Sequence, residues 1–206
     1  MVEPYLRQSP LAHLHLDARA GNDADIDDAG LRLAERRHLG MLNIRGQAGD
    51  PAFAPAFKKA TSVDLPTAAN TSSGSAEKTH TLWLGPDEWL VITPPDETEA
   101  VAGKLTAAAK AMHVAVTAVG EGRTVIRVAG PNARDVLAKG CPLDLHPSAF
   151  GPGQCAQTII ARGAMTLHAV GPDSFDIFVL RSFAEYLWTW LEDAGREYGV
   201  QVTKST

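Results

Sequence analysis

Cysteine is scarce in this chain. Cys141 and Cys155 are the two in 206 residues, and their separation fits neither a C-x-x-C pair nor any zinc-ligand spacing. A disulfide framework is therefore not expected, and no apolar signal region follows Met1, so the expected compartment is a reducing cytoplasm. Long apolar runs are missing too. Bilayer spans need roughly 20 such residues, whereas Leu82 to Thr93 is broken by Gly85, Pro86, Asp87 and Glu88. Positive charge is also in short supply: the formal net charge is -5 and the pI about 5.8, which argues against a nucleic-acid partner. The one basic cluster, Arg32, Arg36 and Arg37 beside Glu35, reads as a solvated helical face at i, i+4 spacing.

Catalytic constellations are equally thin. Among seven histidines only His13 and His15 are close, and their i, i+2 spacing predicts one face of a strand with no third metal ligand nearby. Neither Gly-Pro-Asp string carries the Gly-Lys-Ser/Thr of a phosphate cradle, and no G-x-G-x-x-G follows a predicted strand. Cys141 has His146 as its one candidate activating base, and a structural thiol is the simpler reading. Trp83, Trp89, Trp188 and Trp190 supply large apolar area for a core or for a partner's surface.

What is present is a globular composition, 45% hydrophobic and 21% charged, and an internal repeat. Leu84-Gly85-Pro86-Asp87-Glu88-Trp89-Leu90-Val91-Ile92 returns 86 positions later as Val170-Gly171-Pro172-Asp173-Ser174-Phe175-Asp176-Ile177-Phe178. The register then holds downstream without a gap. Val101 and Leu105 fall on Leu187 and Leu191, and Val114 and Val116 on Val200 and Val202. Upstream, Leu42 to Gly46 resembles Ile126 to Gly130, and Val63-Asp64-Leu65 resembles Leu143-Asp144-Leu145.

Punctuation and periodicity give the elements of each copy. Arg123 to Ala129 predicts a strand running into a short helix with Pro131 at its start, an apolar face of Ala133, Val136 and Leu137, and a stop at Gly140. Gln157 to Ala161 and Ala164 to Val170 predict a hairpin, and Phe175 to Leu180 a third strand. Ser182 and Glu185 predict a capping box for the last helix, with Phe183, Leu187, Leu191 and Ala194 facing the core. Its counterpart is expected from about Asp96 to Met112, capped by Asp96 and Glu99. Pro66 to Lys78 reads as a mobile loop inside the first copy.

The expected fold is thus α+β, with internally duplicated ferredoxin-like halves of β-α-β-β-α-β type. An N-terminal arm is expected over residues 1–30 and a duplicated domain over 31–206, with copy one at about 40–118 and copy two at about 123–203.

Several strings together resemble the sarcosine oxidase gamma-subunit family. They are Ser9-Pro10-Leu11, Leu84 to Trp89, Gly140-Cys141-Pro142-Leu143-Asp144-Leu145-His146-Pro147 and Arg181-Ser182-Phe183-Ala184-Glu185-Tyr186-Leu187-Trp188. That family is similar to the amino-terminal, folate-binding part of the glycine-cleavage T-protein, an aminomethyltransferase. The resemblance implies a subunit of a cytoplasmic heterotetramer with alpha, beta and delta partners. Such an assembly demethylates sarcosine to glycine, makes hydrogen peroxide, and passes the methyl carbon to tetrahydrofolate. NAD, FAD, FMN and zinc are then implied for the partner subunits, and neither cofactor nor catalytic residue for this chain. The T-protein's Asn-Asp pair, which serves folate chemistry, has no counterpart in Cys141 to His146. Subunit contact is expected at Ser9, Pro10, Leu11, His13, Trp89 and Trp188. Two alternatives stay open: a stand-alone tetrahydrofolate-binding aminomethyltransferase-like protein, and the gamma subunit of a related oxidase acting on another N-methyl amino acid.

Overall fold

The computed structural model of the chain describes residues 6–23, 28–109 and 112–205, so the acidic run between Asp23 and Asp28 falls largely outside the described residues. It is a mixed α+β fold with two sheets, and it divides into two compact units. One comprises the described residues of Met1–His38, Gly122–Pro152 and Gln157–Thr206; the other comprises Leu39–Glu121 and Gly153–Ala156.

The second unit is built from β2 (Gly40–Arg45), α2 (Phe53–Thr61), β3 (Ser72–Gly74), β4 (His80–Gly85), β5 (Glu88–Thr93), α3 (Thr98–Ala109) and β6 (Ala115–Ala118). Its sheet order is β3-β4-β5-β2-β6, with every pairing antiparallel. Gly85-Pro86-Asp87-Glu88 makes the β4–β5 turn, as the proline at its second position requires. Leu42, Ile44, Trp89 and Val91 share one face of the sheet and pack with Phe53 and Phe57 of α2 and Val101 and Leu105 of α3. The Trp89 indole donates to Pro66 O at 2.7 Å, so its polar atom is satisfied inside the core. The stretch expected as a mobile loop between Pro66 and Lys78 instead contains the edge strand β3, tied to Gly153 by the Ser72 amide and hydroxyl at 2.8 and 2.9 Å.

The first unit contains α1 (Leu16–Asn22), β1 (Leu31–Arg36), β7 (Arg123–Ala129), α4 (Ala133–Ala138), β8 (Cys155–Ile160, from Gln157 on), β9 (Gly163–Gly171), β10 (Ser174–Leu180), α5 (Arg181–Gly195) and β11 (Val200–Val202). Its sheet order is β11-β1-β7-β10-β9-β8. The elements after β7 follow the same succession as those after β2, as the repeat predicts. β1 is the addition: it enters between β7, to which it is antiparallel, and β11, to which it is parallel.

That strand corrects the expectation of a solvated helical face at Arg32 to Arg37. Leu31, Leu33 and Glu35 alternate onto one face of the sheet, and pairing with two neighbours satisfies the backbone better than an isolated helical turn would. Its entry is gripped from both sides. Gly30 N donates to Tyr198 O (2.8 Å), Leu31 N to Gly199 O (3.1 Å), and Gly30 O accepts Asn132 N (3.0 Å).

Two helix-start expectations also fail. α5 begins at Arg181 with Leu180 in the N-cap position and no side-chain cap, because β10 runs into it without a loop and leaves Ser182 inside the first turn. Its buried face is Ala184, Leu187, Trp188, Leu191 and Gly195, so Phe183 is displaced outward. α3 begins at Thr98 after a 3-10 turn over Pro95–Glu97, and its expected extension to Met112 crosses residues 110 and 111, outside the described residues.

Gly130 has φ +120°, and a methyl group there would sit 2.6 Å from Gly30 O. Gly130→Ala should therefore lower stability by about 2–4 kcal/mol in urea unfolding. Gly21→Ala, with nothing within 4 Å, should leave it unchanged or slightly higher. Equal midpoints for Gly130→Ala and wild type would contradict the close approach of β1 to this turn.

Candidate functional site

Polar groups converge where the N-terminal segment meets β1. Glu35 is fully buried at the end of its strand and accepts four hydrogen bonds' worth of donors: Ser9 Oγ to both carboxylate oxygens (2.6 and 2.5 Å), Thr124 Oγ1 (2.8 Å) and Arg37 Nε (3.2 Å). Arg37 Nη1 continues to Asp17 Oδ2 on α1 (2.7 Å). A buried carboxylate is tolerable only with such a donor set. Ser9 also accepts the Leu11 amide at 2.9 Å, which turns the chain so that Leu11 enters the core. A cavity of about 360 Å³ lies beside this segment, lined by Arg7, Ser9, His15, Asp17, Arg37 and His38 among others.

A second charged group crosses three strands. Asp176 on β10 is fully buried and accepts Arg36 Nη1 from β1 (2.8 Å) and Arg127 Nε and Nη2 from β7 (2.8 and 2.9 Å). Register places them together, since Arg127 pairs with both Ala34 and Asp176. Burial alone would raise the Asp176 carboxyl, but the two guanidinium groups outweigh it and hold it below the ordinary carboxylate range.

Cys141 Sγ faces Thr158 Oγ1 (3.7 Å) and His146 Nδ1 faces Ser148 Oγ (2.7 Å), so thiol and imidazole engage different partners. Burial pushes the Cys155 thiol up to about 11, against a smaller opposing effect from Trp83 O. His13 lies in a 3-10 turn over Ala12–Leu14 and His15 is left-handed at φ 50°, which replaces the strand expected there. His13 Nε2 sits 3.3 Å from Glu185 Oε1. Among the described residues no three His, Cys, Asp or Glu side chains are grouped to hold a metal ion, and no helix is long and apolar enough to cross a membrane.

Of the residues expected at a subunit contact, Leu11, Trp89 and Trp188 are wholly buried in this chain and offer no surface. Ser9 and Pro10 are half-buried and His13 is exposed. Sequence reasoning missed Arg134. Its guanidinium donates to Leu145 O, Phe150 O (2.9 Å) and Pro172 O (2.5 Å) and lies 4.9 Å from the centre of the Phe175 ring, fixing the Cys141 to Phe150 loop. Only its position between Asn132 and Asp135 on a short helix before a long loop hinted at that role.

Comparison with known proteins places these features in context. The model of the family described as "Sarcosine oxidase, gamma subunit family" matches residues 45–197. Sarcosine oxidase subunit gamma of Arthrobacter sp is 36% identical over 94% of this chain and 92% of its own length. A solved heterotetrameric sarcosine oxidase from Corynebacterium sp. U-96, in complex with pyrrole 2-carboxylate, contains a chain with TM-score 0.82 and 33% identity, covering 94% of this chain and 96% of that one. The glycine cleavage aminomethyltransferase T of Bartonella henselae has TM-score 0.70 at 17% identity, covering 96% of this chain and 59% of its own, a likeness of fold alone.

Asp176→Asn should cost about 3–5 kcal/mol, because it leaves the buried Arg36 and the half-buried Arg127 without their carboxylate. A native pKa below the unfolded one means that this stabilisation is complete above about pH 4 and is lost as pH falls through the native value. Acid titration followed by circular dichroism should accordingly show a steeper loss below about pH 4 in wild type than in Asp176→Asn.

Proposed function

This chain belongs to the sarcosine oxidase gamma-subunit family, and from that premise we propose that it is the non-catalytic gamma subunit of a heterotetrameric sarcosine oxidase. The observation that carries the reading is identity of about one third along nearly the whole chain with a gamma subunit, joined to the same fold in an assembled oxidase. The reaction is an oxidative demethylation: sarcosine, oxygen and tetrahydrofolate give glycine, hydrogen peroxide and methylene-tetrahydrofolate. NAD, FAD, FMN and zinc belong to the alpha, beta and delta partners in this reading, and the assembly is cytoplasmic.

What the chain contributes in this reading is two well-packed units that present surfaces to partners. Its buried charges are paired within one sheet, its thiols are buried, and its signature loop from Cys141 to Phe150 is held by Arg134. The orders β6-β2-β5-β4 and, with β1 set aside, β11-β7-β10-β9 support reading the two units as duplicated ferredoxin-like halves of the T-protein type.

Likeness to the aminomethyltransferase fold favours a second reading, a stand-alone tetrahydrofolate binder. Against it, Asp144, nearest to the T-protein's folate acid, is exposed and spends one oxygen on the His146 amide at 2.9 Å. Fold likeness does not carry activity.

Co-expression with the neighbouring reading frames, followed by size-exclusion chromatography at flavin wavelengths, separates the readings. We expect co-elution in a yellow complex that consumes oxygen with sarcosine. A colourless stable monomer that binds tetrahydrofolate would overturn the subunit reading.

A further inference from the structure

The sheet of the first unit ends in an exposed row. Leu180 of β10 lies opposite Arg123 of β7, while Phe178 lies between Val125 of β7 and Thr166 of β9. Carried on to the start of β9, that register sets Ala164 opposite Leu180. β8 and β9 are joined by the two-residue turn Ala161-Arg162, which sets Ile159 opposite Ala164. Ile159, Ala164, Leu180 and Arg123 therefore share one face of the sheet. In the next row inward Thr166, Phe178 and Val125 are buried. In the end row Ile159 is 51% and Leu180 45% exposed, and Ala164 is exposed as well.

Single exposed aliphatic side chains are ordinary. These two share a row, and the charge around them is of one sign. Arg162 sits in the turn beside Ile159, Arg123 closes the row beside Leu180, and Arg181 follows Leu180 at the start of α5. Among the described residues none of the three has a carboxylate partner; Arg181 Nη2 donates to Gln8 O (2.9 Å). β7, β8, β9 and β10 contain one acidic residue, Asp176, which is buried and taken up by Arg36 and Arg127. The acidic residues of α5 and of the turn after it are engaged elsewhere, Glu185 with His13, Glu192 with Arg19, Asp193 with Arg196 and Glu197 with Lys139. On a chain of net charge -5, this end of the sheet is positive.

That charge selects the occupant. Arginine is planar and weakly hydrated, grips a carboxylate through two parallel hydrogen bonds, and is enriched at interfaces where lysine is depleted. A second copy docked by two-fold symmetry on this row would set arginines against arginines.

We propose that Ile159, Ala164 and Leu180, rimmed by Arg123, Arg162 and Arg181, dock a segment of a different polypeptide of the oxidase that carries carboxylates beside an apolar side chain. The proposal rests on the subunit reading above.

The test titrates the free chain into the remaining oxidase subunits. Arg162→Glu/Arg181→Glu is compared with Lys59→Glu/Lys104→Glu, which makes the same change of charge at exposed lysines of the second unit, and with Ile159→Ala/Leu180→Ala. All six positions are exposed, and thermal unfolding of the free chains should remain within a few degrees of wild type. We expect the arginine reversal to bind at least about thirtyfold more weakly, the aliphatic truncation at least about tenfold more weakly, and the lysine reversal as wild type does. Added salt should weaken the wild type and should have less effect on the arginine reversal. Affinity of the arginine reversal within about threefold of wild type would overturn the proposal. An equal loss in the lysine reversal would do the same, because net charge would then be the cause. So would a free wild-type chain that sediments as a dimer and becomes monomeric on arginine reversal, since the occupant would be a second copy. If the wild-type chain joins no oxidase subunit, the subunit reading itself has failed and the proposal falls with it.

Discussion

The structure depends on the insertion of one strand. β1 stands between β7 and β11, and without it the six-stranded sheet would have no continuous core on either side of Leu31 and Leu33. Strand pairing alone would leave β1 free to slip by a residue, which would exchange every inward side chain for an outward one. Arg36 and Glu35 remove that freedom. Adjacent in sequence, they point to opposite faces of the sheet, and each has a buried partner waiting: Asp176 for Arg36, and Ser9 with Thr124 for Glu35. A slip of one residue would bury both charges without partners, at a cost of several kcal/mol each. These pairs act chiefly as register keys, since exchanging them for apolar residues of equal shape need not cost stability.

The same constraint carries through the interior of both sheets. Each sheet is buried on both faces: Leu42, Ile44, Trp89 and Val91 against Met41, Leu90 and Ile92 in one, Ile126, Val128 and Ile177 against Val125, Asp176 and Phe178 in the other. The buried charges Glu35, Arg36 and Asp176 are occupied in holding the register.

Legibility in the sequence followed the range of the interactions. Strand β7 was readable to the residue, and α4 through Ala133, Val136 and Leu137, because local periodicity, Pro131 and Gly140 determine both. The register of 86 residues located the β4–β5 and β9–β10 hairpins through their Gly-Pro-Asp turns. β1 was not readable. Its three charged residues, with Arg37 just after it, mimic a solvated helix, and the carboxylate that explains Arg36 lies 140 positions away. Trp89 and Trp188 were expected to offer contact surface, yet one lies on a central strand and the other on the inner face of α5. The core stripe of that helix was legible at Leu187 and Leu191 but not at its ends, where Ala184 and Gly195 are buried in place of Phe183 and Ala194, since the absence of a loop after β10 sets its rotation and a capping motif cannot report it.

Hydrogen exchange, measured by mass spectrometry on the free chain and on the assembled oxidase, addresses the account most directly. Amides of residues 31–36 should exchange as slowly as those of 123–129 in both states, because β1 is an interior strand before any partner binds. Fast exchange of residues 31–36 in the free chain would contradict it.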